Sequence, residues 1–176
     1  MSRGMSGYYM FESDRLWIRP TTEEDAAFIL KVFTSDKALR FIGDRNIRTE
    51  ADARTFIRNR PLTQLKHRGF SNYTLVEKER GVKVGVAGLY ARPTLDLVDL
   101  GYALLPEYEG NGFAREASRV LMEVARSHFQ MEQLCAITHL ENKASTRLLE
   151  SLGFEYIRRL DLEGVEGESL YFEVDI

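Results

Sequence analysis

The chain has 176 residues, a length that suits one globular domain and is short for two. Hydrophobic residues make up 44% of it and charged residues 29%, which excludes disordered, collagen-like and coiled-coil proteins. The 24 Lys and Arg against 27 Asp and Glu give a net charge of −3, which supplies no overall attraction to nucleic acid.

Cysteine and histidine usage predicts a metal-free protein in a reducing compartment. Cys135 is the single cysteine, so the chain cannot form an internal disulfide or a cysteine-based zinc site. The histidines, His67, His128 and His139, have no metal-ligand spacing. No apolar run approaches the roughly 20 residues of a membrane-spanning helix, and the N-terminus does not resemble a signal peptide. We therefore expect a cytoplasmic protein without membrane or nucleic-acid partners.

The first 70 residues predict a tail, one strand and two helices. Residues 1–12 are expected to be a flexible, loosely ordered tail ahead of a single domain, 13–176. Alternation around Leu16 and Ile18 predicts the strand. The helices are predicted by two capping-box patterns, Thr21 with Glu24 and Thr49 with Asp52.

The rest of the chain predicts six strands and two helices. Residues 71–76 and 82–90 flank a polar turn and indicate a hairpin. The remaining elements are expected at 97–105 (strand), 112–128 (helix), 134–138 (strand), 143–152 (helix), 154–160 (strand) and 169–174 (strand). This order predicts an α/β (α+β) fold with a mixed, mostly antiparallel sheet of about seven strands flanked by about four helices. The units 97–105 and 134–138 are expected to pair in parallel.

Gly110 and Gly112 lie where the 97–105 strand passes into the next helix. Glycines allow a sharp turn and a close approach of the backbone to a ligand. The N–H groups at the helix start point outward at its positive end, which suits a pyrophosphate. Arg115 would add a charged contact. A tight turn without a ligand explains the same residues.

Two familiar phosphate sites do not match this turn. A P-loop requires Lys and Ser or Thr after the glycine, whereas Phe113 and Ala114 follow Gly112. A dinucleotide fingerprint requires Gly or Ala where Arg115 stands, early in a parallel sheet. A nucleotide-binding α/β domain is therefore disfavoured.

Two segments resemble the cofactor motifs of the GNAT acetyltransferases: residues 108–117 (YEGNGFAREA) and 142–154 (NKASTRLLESLGF). Residues 14–25 (DRLWIRPTTEED) are similar to the start of the RimJ/RimL-like branch, which acetylates amino groups, notably protein N-termini. The resemblance covers about residues 13–175, and its three motifs occur in the right order. It implies an acetyl-CoA-dependent N-acetyltransferase of the GNAT fold with no metal.

The resemblance also implies where acetyl-CoA binds. Backbone amides of the glycine turn would bind the pyrophosphate, and the preceding strand would hydrogen-bond the pantetheine arm. Asn142 would touch the pantetheine portion as well as cap its helix. The implied cofactor-binding residues are Tyr102, Ala103, Leu104, Gly110, Asn111, Gly112, Phe113, Ala114, Arg115 and Asn142.

Three positions depart from the family pattern. Glu109 stands where Gln or Arg is usual, and we expect its charge to point to solvent. Leu149 and Ile137 replace the tyrosine acid and the glutamate base of many members. Catalysis would then rest on holding amine and thioester together, which lowers a barrier by roughly 7–11 kcal/mol. A backbone N–H near Leu104 would stabilise the oxyanion.

The candidate catalytic residues are Asp99 and Ser145. Asp99 is expected on the central strand near the acetyl group, and Ser145 matches the Asn-x-x-Ser of the RimJ/RimL branch and would protonate the thiolate. A solvent-facing strand residue and a small packing residue are the structural alternatives. His139 and Tyr102 are further proton-transfer candidates, and Cys135 is expected to be a buried small side chain.

The acceptor is expected to be a primary amine, on a protein N-terminus or a small molecule, acetylated directly in a ternary complex. Its site is expected between the first two helices, the loop 41–48 and the turn 161–168. Arg40, Arg45 and Arg48 would attract an acidic group there, unless they merely flank solvent. Because the usual acid and base are missing, a non-catalytic acyl-CoA-binding or regulatory module stays open. A homodimer and a larger acyl group stay open as well.

Overall fold

The computed structural model describes residues 2–3, 8–161 and 167–176, and within these ranges nine strands form one sheet. The strands are β1 (Ser2–Arg3), β2 (Tyr9–Glu12), β3 (Leu16–Pro20), β4 (Asn72–Glu77), β5 (Val82–Tyr90), β6 (Asp99–Leu104), β7 (Gln133–His139), β8 (Glu155–Leu160) and β9 (Ser169–Asp175). Their order across the sheet is β1-β2-β3-β4-β5-β6-β7-β9-β8. Every neighbouring pair is antiparallel except β6 and β7, which confirms the predicted mixed sheet.

Six α-helices accompany the sheet in the described ranges. They are α1 (Ala26–Phe33), α2 (Asp36–Phe41), α3 (Glu50–Ile57), α4 (Thr63–Arg68), α5 (Phe113–Ser127) and α6 (Lys143–Ser151). A π turn, Arg58–Leu62, accommodates Pro61 between α3 and α4. Across the described parts of the chain, no helix has the length and apolar character needed to cross a membrane.

One of the two predicted capping boxes forms as expected, and the other is shifted by one residue. Thr49 Oγ1 accepts from the Asp52 N–H at 3.1 Å, and the Asp52 carboxylate accepts from the Thr49 N–H at 2.8 Å, as predicted. The first box lies one residue later than expected, because the Thr22 N–H donates to Asp25 at 3.0 Å. Thr21 instead lies buried, 2.9 Å from Thr74 Oγ1. Helix α2 lies in a segment for which no element was predicted, ahead of the expected loop 41–48, and Ser35 caps its start by accepting from the Ala38 N–H.

The two faces of the sheet carry separate apolar clusters. Helix α5 packs on one face, where its Leu121 belongs to the same buried cluster as Ala87. Helices α1 and α3 pack with Val86 in the other cluster. Because adjacent strand residues point to opposite faces, Val86 and Ala87 place these helices on opposite sides of β5.

The N-terminal segment differs from the expected tail. Residues 9–12 form β2, and Phe11 is buried with its ring 5.4 Å from that of Tyr73. Residue 1 and residues 4–7 of the predicted tail lie outside the described residues, as do 162–166 of the predicted turn.

The parallel pair β6 and β7 opens the sheet. Asp99 and Cys135 are its single register pair, and the Cys135 N–H donates to the Val98 carbonyl at 2.9 Å. Along the rest of their lengths β6 pairs with β5 and β7 pairs with β9. The sheet is therefore joined at one point and parts toward the carboxyl ends of both strands.

Candidate active site

A cleft of about 220 Å³ lies where β6 and β7 part. Its walls come from both strands, the glycine turn, α2, and the start of α5 and α6. Seven of the predicted site residues line it: Tyr102, Ala103, Leu104, Gly110, Ala114, Asn142 and Ser145. Phe113 turns its side chain into the core, so only its backbone faces the turn.

The glycine turn presents backbone donors at the start of α5. Gly110 and Gly112 have φ of 75° and 81°, the left-handed region that favours glycine. Among the described residues no side chain caps the helix, and its first bond runs from the Glu116 N–H to the Gly112 carbonyl at 3.0 Å. The N–H groups of residues 113–115 therefore lack intrahelical partners at the positive helix end.

Distant residues brace this turn. Arg15 forms an ion pair with Glu116 at 2.6 Å and donates to the Asn111 carbonyl at 3.0 Å. Glu116 also accepts from Ser13 Oγ at 2.6 Å. The Asn111 side chain donates to the Tyr108 carbonyl at 3.2 Å, so it closes the turn from within. Arg15 and Glu116 lie 101 residues apart, and no local pattern reveals their contact.

Two hydroxyl groups meet inside the cleft. Tyr102 Oη lies 2.9 Å from Ser145 Oγ, and the Ser145 N–H donates to Asn142 Oδ1 at 3.2 Å. Burial raises the pKa of Tyr102 to about 12, which keeps the phenol protonated at neutral pH. The cleft thus joins an anion site at a helix start to a neutral proton donor.

Comparison with known proteins identifies the family. A family model described as an acetyltransferase (GNAT) domain matches residues 15–155. The chain belongs to the GNAT acetyltransferases. The "Uncharacterized N-acetyltransferase YoaA" of Bacillus subtilis (strain 168) is 27% identical over 147 residues, which are 83% of this chain and 82% of that relative. The family model makes the protein an acetyltransferase.

Solved GNAT structures share the fold. An acetyltransferase of the GNAT family from Bacillus anthracis superposes with a TM-score of 0.79 at 17% identity, covering 95% of this chain and 98% of that one. RimL, the ribosomal L7/L12 alpha-N-protein acetyltransferase in complex with coenzyme A, gives a TM-score of 0.81 at 16% identity, covering 96% and 98%. At these identities the likeness establishes the fold and not the branch.

The departures from the GNAT pattern have structural consequences. Glu109, expected to point to solvent, keeps a third of its side chain exposed at the cleft and forms an ion pair with Lys37 of α2. Leu149 is 1% exposed in the core beneath α6, whereas Ile137 lines the cleft. Within the described lining of this acetyltransferase, Glu109 is the only carboxylate, and Lys37 balances its charge.

Asp99 lies apart from the hydroxyl pair of the acetyltransferase. It is 2% exposed, forms an ion pair with Arg92 at 2.5 Å and does not line the cleft. Burial raises the pKa of the Asp99 carboxyl against the opposing effect of Arg92. Three positions along a strand separate Asp99 from Tyr102, so the two side chains occupy opposite faces of the sheet.

His139 and Cys135 of this GNAT chain are also buried outside the cleft. His139 Nδ1 accepts from the Glu141 N–H at 3.1 Å, and its ring lies 5.4 Å from that of Phe41. Burial raises the pKa of the Cys135 thiol to about 12, so it stays protonated, in keeping with a packing role. Among the residues with a described placement, no three His, Cys, Asp or Glu side chains gather as metal ligands would.

Proposed function

We propose that the enzyme transfers an acetyl group from acetyl-CoA directly to a primary amine, with both bound in a ternary complex. The observation that carries this proposal is the single register pair of Asp99 and Cys135. Beyond it, the gap between β6 and β7 passes through the sheet. A thioester entering from the cleft and an amine entering from the opposite face would meet there without an acetylated enzyme.

The residues of the cleft fit acetyl-CoA. The N–H groups of residues 113–115 would bind the pyrophosphate at the positive end of α5. The Arg115 guanidinium is exposed and makes no ion pair within the described residues, so it is available to a phosphate. Beyond Asp99, the backbone groups of β6 that face β7 have no strand partner in the described part of the chain, and Tyr102, Ala103 and Leu104 would use them to bind the pantetheine arm.

In the proposed reaction, the neutral amine nitrogen attacks the thioester carbonyl carbon. A C–N bond forms, the C–S bond breaks, and the carbonyl oxygen carries negative charge that a backbone N–H of β6 stabilises. Tyr102, hydrogen-bonded to Ser145, gives its proton to the departing thiolate. The proton lost by the acetylated nitrogen returns to the phenolate through water.

Thiol release from acetyl-CoA, measured across peptides with free N-termini and small amines, tests this proposal. Acetyl-CoA at 100-fold excess over its Kd should also stabilise the fold by about 2.7 kcal/mol. Without an acceptor, mass spectrometry should find no acetylated protein and no burst of free thiol. A stable acetyl-enzyme would overturn direct transfer, and binding without release for every acceptor would favour the non-catalytic module.

A further inference from the structure

A cationic cluster lies near the point where β6 and β7 join; we call Arg45, Arg60, Arg92 and Asp99 the Arg45 cluster. Asp99 is opposite Tyr90 in the β5–β6 register and is the β6 residue that pairs with β7. Arg92 reaches Asp99 at 2.5 Å, and its guanidinium carbon lies 5.9 Å from the centre of the Tyr90 ring. The Tyr90 hydroxyl donates to Asn72 Oδ1 at 2.5 Å, and this hydrogen bond fixes the ring that lies beside Arg92.

Arg45 differs from the two other arginines of its segment. Arg40 forms an ion pair with Glu141 at 2.7 Å, and Arg48 forms one with Asp44. The Arg45 side chain is partly buried and has no hydrogen bond or ion pair within the described residues. Of the three arginines, Arg40 and Arg48 are therefore paired at the surface, and Arg45 has no partner among the described residues.

The charges of the Arg45 cluster do not balance. Arg45 lies within electrostatic range of two further guanidinium groups, Arg92 and Arg60, and of one carboxylate, Asp99, which Arg92 already pairs with. Burial, followed by the like charges of Arg92 and Arg60, lowers the pKa of Arg45. An anion placed here would relieve this repulsion, and the planar fork of a guanidinium suits a carboxylate.

The position of the cluster relates it to the acceptor. Asp99 and Gly101 point to the same face, and two residues of a strand span roughly 7 Å. An amine that enters the gap beside Gly101 would thus place the side-chain carboxylate of its second residue, roughly 7 Å from the amine nitrogen, beside Asp99 and within electrostatic range of Arg45. We propose that the Arg45 cluster binds a carboxylate of the acceptor, so that the enzyme selects peptides with an acidic residue next to the N-terminal one. This inference rests on the proposed function.

Matched peptides that differ only as Glu or Gln in their second residue test the inference. The wild type should acetylate the Glu peptide with about tenfold higher kcat/KM, mainly through KM. Arg45→Ala should lose this preference and keep its kcat/KM for the Gln peptide, and Arg45→Lys should keep part of the preference. Arg48→Ala, in the same segment but paired with Asp44, should behave as wild type.

A binding measurement separates this inference from the proposed function. Calorimetry with the CoA-saturated protein should show about tenfold tighter binding of the Glu peptide, lost in Arg45→Ala. Equal binding of both peptides, no measurable binding of either, or an equal loss for both in Arg45→Ala, would overturn the carboxylate site. Arg45-dependent binding without thiol release would support the site and overturn the proposed function.

Discussion

Tyr102 Oη and Ser145 Oγ lie 2.9 Å apart and connect β6 to α6 across the cleft. The Ser145 N–H donates to Asn142 Oδ1, so Ser145 takes part both in the cap of α6 and in the hydroxyl pair. Leu149, at the position of the usual GNAT tyrosine, faces the core. In this protein a strand, rather than α6, brings the phenol to the cleft.

Replacing Tyr102 should separate catalysis from binding. Tyr102→Phe removes the proposed proton donor and keeps the ring, so kcat should fall by about 10²-fold, the usual contribution of a general acid. The Kd of acetyl-CoA should stay unchanged in calorimetry. Tyr156→Phe, at a position 52% exposed on β8, is the matched control and should keep full activity. A normal kcat in Tyr102→Phe would contradict the assignment.

Gly112 should matter for the cosubstrate more than for the fold. Gly112 and Gly81 both have positive φ, so an alanine at either position should cost about 1–2 kcal/mol of unfolding free energy. Gly112→Ala should also disturb the N–H groups at the α5 start and raise the Kd of acetyl-CoA about tenfold or more. Gly81→Ala, in the β4–β5 hairpin, should leave that Kd unchanged. Equal Kd values in the two variants would refute the role of the turn.

The sequence predicts contacts between neighbouring residues well and misses contacts between residues that are far apart in the chain. The glycine turn, the Asn142 cap and the Thr49 box depend on neighbouring residues, so their patterns are visible in the chain. The Lys37–Glu109 pair joins residues 72 apart, through helix α2, which no sequence pattern predicted. The sequence patterns therefore did not predict the partner of Glu109. The isolation of Arg45 likewise depends on which partners its neighbours find in space.

The charge of Glu109 should weaken cosubstrate binding. Glu109→Gln removes a negative charge from the cleft wall and frees Lys37 to approach a phosphate, so acetyl-CoA should bind about two- to fivefold tighter. Lys37→Ala should bind it more weakly. Glu107→Gln breaks the neighbouring exposed pair with Lys31 and should have no effect on binding. Calorimetry at low and high salt checks this, because the difference should shrink as salt screens the charges. Weaker binding in Glu109→Gln would contradict the prediction.

Asp25 should make stability depend on pH. Its carboxylate is fully buried and is paired with Arg19 and Lys83 at 2.7 Å each. Burial alone would raise the pKa of Asp25, but the hydrogen bonds from Arg19 and Lys83 outweigh it and hold the pKa well below its usual range. This stabilisation is therefore present above the unfolded pKa of about 3.9 and is lost as the pH falls toward the folded pKa.

Urea unfolding of wild type and Asp25→Asn across pH checks that sign. At pH 7 the unfolding free energy of the variant should be about 3 kcal/mol lower than that of the wild type, because Arg19 and Lys83 lose their buried partner. Below about pH 3.9 the wild type should lose up to about 1.4 kcal/mol per pH unit more than the variant, so the two should converge. Glu123→Gln, which breaks the exposed pair with Arg126, should change little at either pH. If the difference in unfolding free energy between wild type and Asp25→Asn grows as the pH falls, the two ion pairs do not outweigh the cost of burying this carboxylate.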